Sequence, residues 1–208
     1  MRSFTTAELP GRCQRCWIRV EHCVCPVVPR VVPRTGVVVV RHAREAMKST
    51  GTVRVAALAL PDAHVLEYGE DTEPAQSQLA PLLGPGTFLL FPAEPSTPWD
   101  AAAVRNLVVL DGTWRQARRM YHRLPALHAL PKLALPPKAE KVLRLRDSTT
   151  EGGRSTLEAL ADALALLEGE AVARPLHALH AEYVERVFRA RGVWDLKAAE
   201  HARAEELG

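Results

Sequence analysis

The stretch RNLVVLDGTWRQ, residues 105–116, decides how the chain is to be read. Leu107, Val108, Val109 and Leu110 form a continuous apolar run, the pattern of a strand covered on both faces rather than one facing water. The run stops at Asp111 and Gly112, and Thr113 with Gln116 then makes the S/T-x-x-E/Q pattern of a helix N-terminus. A buried strand leading straight into a capped helix is half of a strand–helix–strand unit, which implies a parallel sheet. Ligands of such sheets bind beyond the carboxyl ends of the strands, where helix N-termini point. Asp111 stands at such an end. A carboxylate after four apolar residues either caps the helix or does chemistry.

Outward from this unit the pattern repeats. TGVVVV (35–40) reads as a buried, β-branched strand. Residues 45–60 suit a helix ended by Pro61, HVLEYG (64–69) a second strand, and AQSQLAPLL (75–83) a short helix. GTFLLFPAE (86–94) is a third strand ending at Pro92, and residues 105–112 are the fourth. A helix runs from Trp114 to about Tyr121, and a loop punctuated by Pro125, Pro131, Pro136 and Pro137 leads to KVLRLRD (141–147), the expected fifth strand. Helices over 156–167 and 175–191 follow, and the tail after Trp194 is a polar helix or a disordered end. The expected fold is α/β, a mostly parallel sheet with helices on both faces. It divides into a cysteine module (1–33), an α/β domain (34–194) and a polar tail (195–208). Neither G-x-G-x-x-G after the first strand nor a P-loop is present.

Composition permits one sizeable core: 47% of the 208 residues are hydrophobic. No apolar run is long enough to span a bilayer, and MRSFTTAELPGRC lacks the apolar core of a secretory signal, so a cytoplasmic location is expected. The net charge of +3 hides two basic blocks: residues 1–54 carry 10 Lys/Arg against 3 Asp/Glu, and residues 111–154 carry 10 against 4. Converging in space, these blocks would make a footprint for a polyanion. Arg41, His42, Arg44 and Lys48 in the first and Arg115, Arg118 and Arg119 in the second are the candidate contacts to such a polyanion, nucleic acid among them.

All four cysteines lie in CQRCWIRVEHCVC, as Cys13, Cys16, Cys23 and Cys25. Four soft thiolates in close pairs suit tetrahedral Zn2+, and a set of four closes the coordination sphere, so the metal would be structural. Disulfides are disfavoured without a secretory signal; a redox pair, free thiols or an iron–sulfur cluster remain chemically possible. Arg15 and Arg19, between the cysteines, could hold phosphates. Trp17 is read as the module's own small core.

Three strand or helix edges point to one composite pocket for a small molecule. They are Leu90, Phe91, Pro92 and Glu94 after the third strand; Leu110, Gly112, Thr113 and Trp114 after the fourth; and Ser155 and Thr156 at a second capping box with Glu158. His42 and Glu45 stand at the end of the first strand, where both also have ordinary helix-start explanations.

Taken together, CQRCWIRVEHCVC, RHAREAMKSTGTVR (41–54), LLFPAE (89–94), LDGTWRQARRM (110–120) and RSTLEALA (154–161) resemble the DTW-domain proteins, the tRNA-uridine aminocarboxypropyltransferases. The resemblance runs from about Cys13 to about Arg191. It departs where the family's usual His-Pro is His42–Ala43 and its usual Asn before Thr is Gly51 before Thr52. It implies transfer of the 3-amino-3-carboxypropyl group of S-adenosylmethionine to N3 of a tRNA uridine, with methylthioadenosine released. It also implies a fold like the SPOUT methyltransferases, with a C-terminal trefoil knot. Asp111 is then the candidate catalytic base, its carboxylate expected to be partly exposed at the pocket mouth. Two other readings stay open: a methyltransferase of the same fold acting on RNA, and a zinc-containing RNA-binding protein without catalysis. No obligate protein partner is inferred.

Overall fold

Side chains alternate across a strand, and the valine run shows what that does here. Val37 and Val39 join one apolar cluster, Val38 and Val40 another, and all four are buried. A sheet with two such clusters must be covered on both sides. The computed structural model, which describes residues 10–92, 100–137, 143–145 and 153–206, shows how this is met.

The strands are β1 (Gly36–His42), β2 (His64–Tyr68), β3 (Thr87–Leu90), β4 (Asn106–Asp111) and β5 (Lys132–Leu133). They form one parallel sheet in the order β2-β1-β4-β3-β5. One face packs against α2 (Thr52–Ala59), α5 (Thr156–Glu168) and α6 (Glu170–Ala190), through Val53, Leu157, Leu160 and Leu176. The other packs against α3 (Glu73–Leu79) and α4 (Trp114–Arg123), through Ala75, Leu79, Ala117 and Met120. From β1 the chain moves out to β2 at one edge; from β4 it moves out to β5 at the other. The crevice where such directions diverge is the ligand position of open α/β sheets. β1 and β4 are neighbours there, with Arg41 opposite Asp111.

Three elements differ from the sequence reading. The helix expected over 45–60 is two, α1 (Ala43–Ala46) and α2. Ser49, Thr50 and Gly51 interrupt it, all weaker helix formers than Ala46, Met47 and Lys48 before them, and Gly51 is extended (φ −69°, ψ 115°). The sheet's fifth strand is Lys132–Leu133, not KVLRLRD. It pairs with β3 because Leu89 N donates to Pro131 O and Phe91 N to Leu133 O, so the adjoining proline contributes only its carbonyl. Of the expected strand, 143–145 is irregular and the remainder lies outside the described residues. α6 begins at Glu170 rather than Pro175, after Gly169 turns the chain at φ +91°; the helix absorbs Pro175 by giving up one N–H donor. The tail is a helix, α7 (Trp194–Glu206). A C-terminal knot would involve the path between Pro137 and Gly153, most of which lies outside the described residues. Among the described residues no helix is long and apolar enough to cross a membrane.

The cysteine module docks on this domain. Cys16, Ile18, Val24 and Val31 belong to the same cluster as α2 and α6. Val31 N donates to Ala59 O at 2.8 Å and Arg186 to Cys23 O at 2.6 Å.

Candidate active site and metal centre

Asp111 ends β4, but it is not the side-chain cap of α4. Thr113 fills that role: its hydroxyl accepts from Gln116 N, and Gln116 Oε1 accepts from Thr113 N at 2.7 Å. Gly112 serves the same box, since a Cβ there would come within 2.9 Å of Gln116 Cβ. The carboxylate turns instead to α5, where the Thr156 hydroxyl donates to Asp111 Oδ1 at 2.5 Å. Asp111 is therefore buried, only 7% exposed, rather than partly exposed as its strand-end position suggests. The start of α2 meets the same place, Thr52 Oγ1 accepting from Leu157 N at 3.4 Å. The ends of β1 and β4 and the N-termini of α2 and α5 thus converge on one acid.

The N-terminus of α5 is itself held from below. Ser155 caps it, and Glu158 reaches back to Ser155 N at 2.8 Å. Arg144 grips the buried Glu158 carboxylate with two nitrogens, each at 3.0 Å, and His180 Nε2 lies 3.5 Å away. Burial acts to raise the Glu158 pKa, yet Arg144, His180 and the Ser155 N–H together hold it below the ordinary carboxylate value.

Beyond β3 and β4 stands an aromatic stack. The Phe91 ring lies 5.1 Å from both Trp114 and Tyr121, near-parallel to each. Lys132 Nζ caps Tyr121 at 4.7 Å, a favourable cation–π geometry. Trp114 remains 41% exposed, a half-open apolar face beside the crevice. Leu90 is half-buried, Pro92 exposed and Leu110 buried, while Glu94 lies outside the described residues. Ser155 and Thr156 are half-buried at the α5 edge.

The basic blocks meet at this end of the sheet. Arg115, Arg118, Arg119 and His122 follow i, i+3, i+4, i+7 spacing, one face of α4, and all four are exposed. His42 caps α1, its Nδ1 accepting from Arg44 N at 3.2 Å. Its pKa is lowered first by burial and then by the charge of Arg44, with Glu45 opposing and Arg119 and Lys48 adding to the fall. Arg41 and Lys48 are partly neutralised, by Glu67 at 2.7 Å and Glu45 at 2.5 Å; Arg44 is exposed.

Four thiols form a compact set near the N-terminus. The Sγ atoms of Cys13, Cys16, Cys23 and Cys25 all lie within 4.8 Å of one another. Cys13–Cys25 and Cys16–Cys23 are each 3.7 Å apart. Four sulfurs at a metal–sulfur distance of about 2.3 Å stand roughly 3.8 Å apart in a tetrahedron, so the set fits one metal ion. Its charge is unevenly shared: burial opposes ionisation of Cys13, but backbone N–H groups of Cys16 and Arg15 bring it down to about 6. Burial and the neighbouring sulfurs push Cys25 up. Arg15 and Arg19 are exposed beside the set.

Tyr121, Lys132, Thr52, Arg144 and Arg54 were not among the expected site residues. For Tyr121 a signal existed: seven residues after Trp114, it shares that residue's face of α4. Lys132 sits in a proline-rich loop with no periodicity to place it.

A parallel sheet with an acid at its switch point, a basic helix face and a thiol cluster together define an α/β domain with a strand-end crevice. The DTW domain model matches residues 11–188, and the chain belongs to that family. It is similar to a Drosophila melanogaster protein named tRNA-uridine aminocarboxypropyltransferase 2, 32% identical over 192 residues, which are 84% of this chain and 76% of the fly protein. A Mus musculus protein of the same name is 30% identical over 193 residues, 83% of this chain and 63% of the relative. One from Macaca fascicularis is 25% identical over 191 residues, with the same two shares. The chain thus spans a little under two thirds of the two mammalian relatives. No solved structure matches it.

Proposed function

We propose that the protein transfers the 3-amino-3-carboxypropyl group of S-adenosylmethionine to N3 of a uridine in tRNA, forming acp3U. The observation that carries this reading is the placement of Asp111. It is a buried strand-end acid, not the α4 cap, fixed by Thr156 where the connections leaving the paired strands β1 and β4 diverge. The relatives' name supplies the reaction.

The chemistry asks for a base. Neutral uracil carries a proton on N3, and its nitrogen attacks well only as that proton leaves. Asp111 takes the proton, directly or through one water, while the N3–carbon bond forms and the carbon–sulfur bond of the sulfonium breaks. Methylthioadenosine is the leaving group. The stack of Phe91 and Trp114 offers an apolar face for an adenine or a base. Leu90, Pro92, Glu94, Leu110, Gly112, Thr113, Ser155 and Thr156 complete the proposed donor site. Incubation with unmodified tRNA and the donor should release methylthioadenosine; S-adenosylhomocysteine in its place would make the protein a methyltransferase and overturn the reading.

The basic stripe of α4, with Arg44, Lys48, Arg15 and Arg19, is proposed to hold tRNA phosphates. Arg118→Ala and Arg119→Ala should each weaken tRNA binding and lower the slope of log K against log salt by about 1. Donor affinity, measured by calorimetry, should be unchanged.

Residues 1–33 are proposed to be a structural Zn2+ module on the SPOUT-type domain. Purified, reduced protein should contain one zinc per chain by elemental analysis. Cys25→Ala should abolish it and loosen residues 10–30 to hydrogen exchange, because metal binding and local folding are linked.

A further inference from the structure

A cleft outside the proposed donor site, sharing Arg19 with the proposed phosphate contacts, lies between the cysteine module and α6. Its volume is about 60 Å³, and Arg12, Trp17, Arg19, Ser49, Thr50 and Arg191 line it, with no acidic residue in its wall. That is room for several water-sized groups, enough for one tetrahedral oxyanion.

Trp17 is the unusual part of the wall. Among the described residues it alone combines a bulky side chain with a left-handed backbone, at φ +63°, a conformation a large residue rarely adopts. It is held there from two sides. The Arg54 guanidinium lies 3.3 Å above its ring centroid while donating to Ala46 O at 2.8 Å. Arg12 donates to Trp17 O at 2.9 Å. The ring is 9% exposed, and its Nε1–H is buried without an acceptor among the described residues. A buried donor left unmade is costly, and the residue that carries it lines the cleft.

Charge agrees. Arg12 spends one nitrogen on Trp17 O and keeps its other donors. Among the described residues the one ion pair of Arg19 is an exposed contact with Glu21 at 3.7 Å, and Arg191 is exposed. A guanidinium fork matches phosphate oxygens in pairs. The cleft is also linked along the chain to the proposed RNA surface: Ser49 and Thr50 belong to the same α1–α2 connection that carries Lys48.

We propose that this cleft is a second phosphodiester site, gripping the RNA backbone away from the reacting uridine. The inference rests on the reading that the substrate is RNA. Its test uses the full chain, with Arg191→Glu as the first variant and Arg12→Lys as a gentler second that keeps a donor toward Trp17 O. Wild-type protein should bind tRNA with a salt slope about 1 steeper than Arg191→Glu. The Trp17 indole N–H resonance should shift on adding tRNA and move less with millimolar inorganic phosphate. Unchanged tRNA binding in both variants would overturn the second site and leave the proposed function standing. A Trp17 shift with phosphate alone, and none with tRNA, would make the cleft a free-anion site and equally overturn it. Failure of wild-type protein to bind any tRNA would remove both readings together.

Discussion

Asp111→Asn should lower uridine modification by about 10²–10⁴-fold, the usual contribution of a positioned general base. The substitution keeps the side chain's shape, and an Asn Oδ1 still accepts from the Thr156 hydroxyl, so the contact between β4 and α5 survives. The cap of α4 is untouched because Thr113 and Gln116 make it. Binding of the donor and of tRNA should persist, so the loss falls on kcat rather than KM. The variant's residual rate should climb with pH as solvent deprotonates the uridine, more steeply than the wild type's. Near-normal turnover at neutral pH would reduce Asp111 to a structural tie between a strand and a helix.

The second large effect concerns stability. Glu158 is buried, with Arg144 paired to it at 21% exposure, so the pair follows the rules for interiors and not those for surface ion pairs. Removing one member of a buried pair costs about 3–5 kcal/mol, and Glu158→Ala should lose about that much in denaturant unfolding. Glu158→Gln, which can still accept from Ser155 N, should lose less. The pH dependence has a definite sign. The folded-state pKa lies below the ordinary 4.5, so the unfolded chain takes up the proton first as pH falls. Glu158's contribution is full above about pH 4.5 and is lost as pH drops through the folded value. Wild-type stability should fall more steeply than that of Glu158→Gln below pH 4.5. A loss under 1 kcal/mol in Glu158→Ala would show that Arg144 and His180 find other partners at little cost.

Local pattern made some of this visible in the chain. Val37–Val40 and Leu107–Leu110 announce central strands because a two-faced burial leaves no polar alternation. Both capping boxes, Thr113 with Gln116 and Ser155 with Glu158, sit where their spacing put them, since a cap is a contact three residues long. Cys13, Cys16, Cys23 and Cys25 gather as their spacing suggested. What the chain hid lies in contacts between distant segments. The Thr156–Asp111 bond joins residues 45 apart and is what buries the acid. The stack of Phe91 on Trp114 and Tyr121 depends on how α4 docks beside β3, and Arg54 on Trp17 depends on how the module docks on α2. β5 has two residues and owes its place to β3, not to its own composition.

The most direct measurement is mass spectrometry of nucleosides digested from unmodified tRNA after incubation with S-adenosylmethionine and the protein, wild type beside Asp111→Asn. Wild-type protein should convert a uridine to its N3-aminocarboxypropyl derivative, and the variant should leave it almost untouched at equal tRNA binding. Uridine unchanged by wild-type protein, or a methylated uridine in its place, would contradict the account.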